Sequence, residues 1–170
     1  MFNIGDLTIY SSLGICKIED ICEKDFNGET KNYYVLHPMQ NPTLTINAPV
    51  GSEKLKMYEM MSKKEAQVIL ESFAGPGAEW IEKVTARQHA YIQIINSGDR
   101  KEIAKVGNTL IRKKLELQAI NKKQSEYDRK MLTQIESILF TEMAISLEMD
   151  LGQVYTTIEE YLTESSAAII

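Results

Sequence analysis

Cys16, Cys22 and His37 are the first residues of this 170-residue chain whose types invite a chemical reading. A thiol nucleophile needs a base within hydrogen-bond reach and a third group to orient that base. Cys16 and Cys22 fall in a segment that reads as one strand, which holds them roughly 20 Å apart and beyond disulfide reach. They are expected to be small buried core residues, with a Cys–His nucleophile as the rival reading. The only histidines are His37 and His89, and neither a CxxC nor an HExxH motif occurs, so a zinc site lacks ligands. Gly5-Asp6 and Gly75-Pro76-Gly77 are not phosphate loops, because no Lys-Ser/Thr follows a glycine-rich turn between strand and helix. The acid pairs Glu79/Glu82 and Glu159/Glu160 lie on amphipathic stretches and read as solvated faces. No catalytic residue, cofactor or metal is expected.

Surface chemistry is more informative. The net charge of −5 conceals a segregation: residues 100–130 hold ten Lys/Arg against four acids, whereas residues 131–170 hold seven acids and no base. Lys101, Lys105 and Arg112 are spaced i, i+4, i+11, so a helix sets them along one side. Lys122 and Lys123 follow in a polar loop at that helix's far end. Such a stripe can neutralise phosphates and release counterions; a solvated helix face accounts for the same residues. The only tryptophan, Trp80, follows the Gly75-Pro76-Gly77 break and reads as part of the first turn of a helix. It is a candidate apolar wedge, with Lys83 and Arg87 the nearest cations. A packed indole is the alternative, since Trp80, Val84 and Tyr91 share a helical face.

The elements that must position these groups fall into two kinds. Residues 1–60 read with period two: Cys16 and Ile18 alternate with Lys17 and Glu19, and Leu44, Ile46 and Ala48 with Thr43, Thr45 and Asn47. Turn signals at 12–14, Asn27-Gly28, 40–42 and 49–52 divide them into five short strands. Such strands make a small Tudor- or SH3-like antiparallel barrel, so the fold class is α+β. Beyond residue 60 the period is helical. Ser62 and Glu65 form a capping box; Gly75-Pro76-Gly77 separates a first helix from a second that runs to about Ser97. Asp99 caps a third helix through about Ala119, a fourth carries Leu132, Ile135, Leu139 and Met143, and Asp150 caps a fifth. The expected divisions are a β module at 1–60, a helix and linker at 61–77, a helical module at 78–164 and a frayed tail at 165–170.

Hydrophobic residues make up 44% of the chain, but no apolar run approaches the ~20 residues of a membrane span. The N-terminus reads as a strand and not as a signal peptide. A cytoplasmic location is expected.

Ile4-Gly5-Asp6, Tyr10 and Gly14 resemble the GD-x-V-x-Y-P-x-x-G-V start of the CarD/CdnL family of bacterial transcription regulators, whose first domain is shared with transcription-repair coupling factor. The likeness continues through Gly28-Glu29, Tyr33 to Leu36, Leu44 to Val50 and Ser62 to Glu65. It extends to Trp80-Ile81-Glu82, Ser97 to Arg100, Leu110 and Arg112-Lys113-Lys114. The resemblance implies that the Tudor-like domain binds the RNA polymerase β subunit, here through Lys24, Leu44, Ile46, Asn47 and Pro49. It also implies that the helical domain meets promoter DNA at the upstream edge of the melted region. Trp80 would be the wedge, with Lys83, Arg87, Lys101, Lys105, Arg112, Lys113, Lys122 and Lys123 facing the backbone. Glu79 and Glu82 stand where the family commonly carries bases, and Lys24 and Asn47 where it often has Arg. The rival expectation is an adaptor whose helical half contacts proteins or dimerises without DNA.

Overall fold

The computed structural model describes residues 1–10, 13–54 and 57–167 and divides into two compact units, Met1–Met60 and Met61–Ile170. The first is a five-stranded antiparallel sheet of β1 (Leu7–Tyr10), β2 (Ile15–Phe26), β3 (Glu29–Pro38), β4 (Ile46–Pro49) and β5 (Met57–Glu59), ordered β4-β3-β2-β1-β5. Asn27 and Gly28 both take positive φ, 52° and 82°, in the two-residue turn joining β2 to β3. That geometry matches the right-handed twist of a hairpin and favours the Asn-Gly pair. A register shift between Ile18 and Asp20 bends the long hairpin. The small core is Cys16, Ile18, Tyr34, Leu36 and Ala48.

Cys16 and Cys22 share β2, with Cys16 fully buried. Burial pushes the Cys16 thiol up to about 11, away from thiolate chemistry. His37 is turned from both sulfurs: its ring nitrogens face Leu44 O at 3.0 Å and a Glu19 carboxylate oxygen at 2.7 Å. The thiol–imidazole pair is therefore not assembled.

The second unit is helical. Its elements are α1 (Lys63–Glu71), α2 (Val84–Ser97), α3 (Arg100–Ala119), α4 (Glu126–Ile135), α5 (Thr141–Leu147) and α6 (Leu151–Ala167). Ser62 and Glu65 make the reciprocal capping box, Asp99 accepts from the N–H groups of Lys101 and Glu102, and Ser125 accepts from Asp128 N. A π-helical stretch, Glu136–Phe140, joins α4 to α5, so the expected fourth helix is continuous but locally unwound. Phe73, Tyr91, Leu110, Ile135, Phe140 and Ile158 lie at the centre of one contiguous core.

Three expectations are corrected. Residues 61–77, expected as a helix and linker between modules, contain that helix as α1 but belong to the helical unit, since Met61, Ala66, Ile69, Leu70 and Phe73 lie in its core. The second helix starts at Val84, and Gly75 to Lys83 form an irregular segment, so Trp80 precedes the helix instead of opening it. The tail is helical through Ala167; positions 168–170 lie outside the described residues. Among the described residues no helix is long and apolar enough to cross a membrane.

Candidate functional site

The segment that carries Trp80 lacks helical hydrogen bonds of its own, so its polar backbone must find partners elsewhere. They come from side chains and backbone of α2 and α3. Asn108 Nδ2 donates to Phe73 O and Gly75 O, each at 3.2 Å, and Thr109 Oγ1 donates to Ala78 O at 2.7 Å. Ala78 N donates to Lys105 O at 3.0 Å, and Tyr91 Oη donates to Glu79 O at 2.6 Å. Arg87 Nη1 donates to Ile81 O at 2.6 Å and to Glu82 O at 3.1 Å. The segment is thereby fixed at six of the ten residues from Phe73 to Glu82.

Gly77 explains how it lies so close to α3. A Cβ there would collide with Thr109 Oγ1 and stand 3.0 Å from Thr109 N and 3.1 Å from Asn108 Oδ1. The glycine is required by proximity, since any side chain would lift the segment off the helix. Asn108 and Thr109 are buried polar residues inside the apolar run of α3, and that interruption is the sequence signal that could have exposed their role.

Trp80 itself is half-buried and packs against the helical core. The Arg87 guanidinium carbon lies over its ring at 3.9 Å from the centroid, and Lys113 Nζ at 5.1 Å. Both fall within the range of cation–π attraction. The indole Nε1 is buried without a hydrogen-bond partner. Its N–H is therefore turned inward, and any outside contact of the ring is apolar. A cavity of about 310 Å³ lies beside the ring, bounded by Gly77, Thr109, Arg112 and Glu116 among others.

The cations assigned to this surface from sequence divide sharply. Arg87, expected to face a phosphate, is only 3% exposed and forms a two-pronged ion pair with Asp128 at 2.9 and 2.7 Å. Arg112 is also turned to internal work: it bonds Asn108 Oδ1 at 2.8 Å, Ser165 Oγ at 2.7 Å and Gly75 O at 3.4 Å. It thus ties α6 to the segment before Trp80. Lys105 is paired with Glu102 at 2.6 Å, which holds its ammonium above the usual lysine range, and Lys113 is paired with Glu116 at 3.4 Å. Lys83 and Lys101 are exposed and have no side-chain partner among the described residues. Glu79 and Glu82 are also exposed, so the rim of the indole carries both signs.

Lys122 and Lys123 stand elsewhere. With Lys114 and Arg129 they line a cavity of about 520 Å³ whose wall includes Glu126, Glu136 and Tyr155. Tyr155 Oη donates to Glu136 at 2.9 Å; burial, then that carboxylate, push its pKa well up, so the phenol stays protonated. Of the stripe expected from Lys101, Lys105 and Arg112, Arg112 is turned inward to Asn108 and Ser165, while Lys122 and Lys123 line this second hollow with Lys114.

In the sheet unit, β4 is an edge strand that pairs only with β3. Val50 N donates to Asn32 O, and the register pairs Tyr34 with Ala48 and Leu36 with Ile46. Alternation along an antiparallel ladder then turns the backbone of Asn47 and Pro49 outward. Proline has no N–H, so Asn47 supplies the strand's one outward donor. Lys24 Nζ donates to Asn47 Oδ1 at 2.6 Å, uniting two of the residues singled out from sequence. Ile46 and Pro49 are half-buried, and Leu44 precedes the strand and is 40% exposed.

Two family models match the chain. One, described as CarD, C-terminal domain, covers residues 68–159; the other, the CarD-like/TRCF RID domain, covers residues 2–61. Apart from Met61, each match falls within one of the two compact units.

Proposed function

The chain belongs to the CarD family, a transcription-related and RNA-polymerase-interacting one, and from that premise we propose that it stabilises the open promoter complex. The edge of β4, with Asn47, Pro49 and Lys24, docks on the polymerase β subunit by strand addition. The helical unit then sets Trp80 against promoter DNA at the upstream edge of the melted region, where an apolar plate can fill an unstacked base step. Lys83 and Lys101, which are exposed, and Lys113, which lies beside the ring, are the cations assigned to the flanking phosphates. Because these are few, affinity for free DNA is low, and the docked polymerase supplies the local concentration.

The observation that supports this reading most is the fixing of the 73–82 segment. Seven backbone groups are held by α2 and α3 around a half-exposed ring, and a wedge must be stiff because a yielding one cannot hold separated bases. The test is the lifetime of competitor-challenged open complexes. Trp80→Ala shortens it while polymerase binding is kept; an unchanged lifetime in a folded variant refutes the wedge.

A second reading has one observation in its favour: Lys105 and Lys113 are already paired with acids, and Glu79 and Glu82 crowd the indole. On that reading the helical unit contacts protein and not DNA. The salt dependence of the polymerase–promoter complex separates the two, because only phosphate contacts give this protein a slope of its own.

A further inference from the structure

The only ion pair with both partners almost wholly buried, among the described residues, is Arg87–Asp128, whose side chains are 3% and 4% exposed. A buried pair costs desolvation that its own attraction barely offsets, so its presence is weak support for a purely stabilising role. Its surroundings point to another one. The guanidinium spends three nitrogens on four acceptors: Nε and Nη2 on the two Asp128 oxygens, Nη1 on Ile81 O and Glu82 O. Its planar face is left to the indole of Trp80. Asp128 is in turn oriented from α4, where Ser125 Oγ donates to Asp128 Oδ2 at 2.7 Å and accepts from Asp128 N at 3.1 Å.

We infer that Arg87 and Asp128 are positioning residues for Trp80: the pair is a mount, built on the start of α4, that fixes the height and tilt of the indole and the course of the chain just after it. The inference deepens the wedge reading and rests on it for its functional consequence. Lysine cannot replace Arg87 in this role. An ammonium can pair with Asp128, but it has neither a flat face for the ring nor the fork that reaches Ile81 and Glu82. The inward turn of Trp80 Nε1 agrees with a ring held by stacking and not by a hydrogen bond of its own.

Because Trp80 is the only tryptophan, its fluorescence reads the mount directly. Removing one charge risks leaving the other buried and unpaired, so the primary variant is the double substitution Arg87→Met, Asp128→Leu. This replaces the pair by apolar side chains of similar size, an exchange that is often neutral for stability. The full-length double variant also leaves Ile81 O and Glu82 O without their donor, so it is expected to fold but to melt somewhat below the unaltered protein. Acrylamide quenching of Trp80 should rise roughly threefold and its emission shift to longer wavelength, as expected for a ring released to local motion and solvent. Arg87→Lys should show the same optical change with a smaller loss of stability than Arg87→Met alone. Wild-type quenching and emission in the folded double variant overturn the proposal. Optical release of the ring supports it whatever the promoter assay gives; release of the ring with an unshortened open-complex lifetime counts against the wedge function alone.

Discussion

Lys24 Nζ and Asn47 Oδ1 are joined at 2.6 Å, a bond that reaches from β2 over the intervening β3 to the edge strand β4. It places a cation beside the strand's one outward N–H, so the side-chain and backbone groups of the proposed docking edge occupy a single spot. Asn47→Pro should remove that N–H and the amide together, while an edge strand tolerates proline and Ile46 is already extended. The expected result is a loss of roughly tenfold or more in affinity for the polymerase β subunit, the size of an interface hot spot. Titration with immobilised polymerase reads it, and a melting curve close to wild type shows that the sheet is intact. Undiminished affinity would mean that docking uses another edge.

Gly77 provides a test of how the Trp80 segment is seated. Gly77→Ala drives a methyl group into Thr109 and Asn108 of α3, and overpacking of this kind costs about 1–3 kcal/mol. The helical unit should melt earlier, and the emission of Trp80 should change because the segment lifts. The double variant Gly77→Ala, Thr109→Ser should recover little, since serine keeps the hydroxyl oxygen that the new methyl meets and the backbone of Thr109 is also in the way at 3.0 Å. A Gly77→Ala protein that melts and fluoresces normally would show that the segment is loosely seated.

Much of this arrangement was legible in the residues, and what was missed has a common cause. Ser62 with Glu65, Asp99 before α3 and Asn27-Gly28 are local signals that act within a few residues, and each does what its spacing implies. The start of α2 differs because Trp80, Val84 and Tyr91 happen to share a helical period, whereas residues 75–83 are held by groups from 5 to 37 positions away. Arg87 and Arg112 looked like surface cations because charge alone does not reveal a partner; for Arg87 it is Asp128, in another helix. Nothing in the spacing of Glu136 to Phe140 signals a π-helical stretch.

Cys16 yields a prediction with a definite sign. Burial raises its folded-state pKa to about 11, above the roughly 9 of an exposed thiol. Between these values the unfolded thiol has lost its proton while the folded one keeps it, so the folded state binds more protons and stability falls as pH rises. The contribution is fully present below pH 9 and declines by on the order of 2 kcal/mol as pH rises through 11. Chemical denaturation from pH 8 to 11 should show a steeper fall in the wild type than in Cys16→Ala, the difference being the share of Cys16, because the buried Tyr91 and Tyr155 phenols, whose pKa values burial also raises, add the same slope to both. In native protein at pH 8, alkylation should modify the half-buried Cys22 and spare Cys16. Rapid labelling of Cys16 would contradict the buried, protonated thiol and reopen thiol chemistry in β2.

The last prediction concerns the acids around the indole. Glu79 and Glu82 are exposed, flank Trp80 in sequence and face no basic side chain among the described residues. If Trp80 meets DNA, each carboxylate stands in the field of the phosphates and opposes binding. Reversing them in Glu79→Lys, Glu82→Lys should lengthen open-complex lifetime at moderate salt. It should also steepen the dependence of complex stability on salt by about 0.9 per phosphate newly met, up to about 1.8 for two. The backbone contacts at these positions use carbonyls, Glu79 O to Tyr91 and Glu82 O to Arg87, so changing the side chains leaves the mount in place. Unchanged emission from Trp80 verifies this. A doubly reversed protein with normal emission, normal polymerase affinity and no change in salt slope would place these residues away from DNA. It would favour the reading in which the helical unit contacts protein.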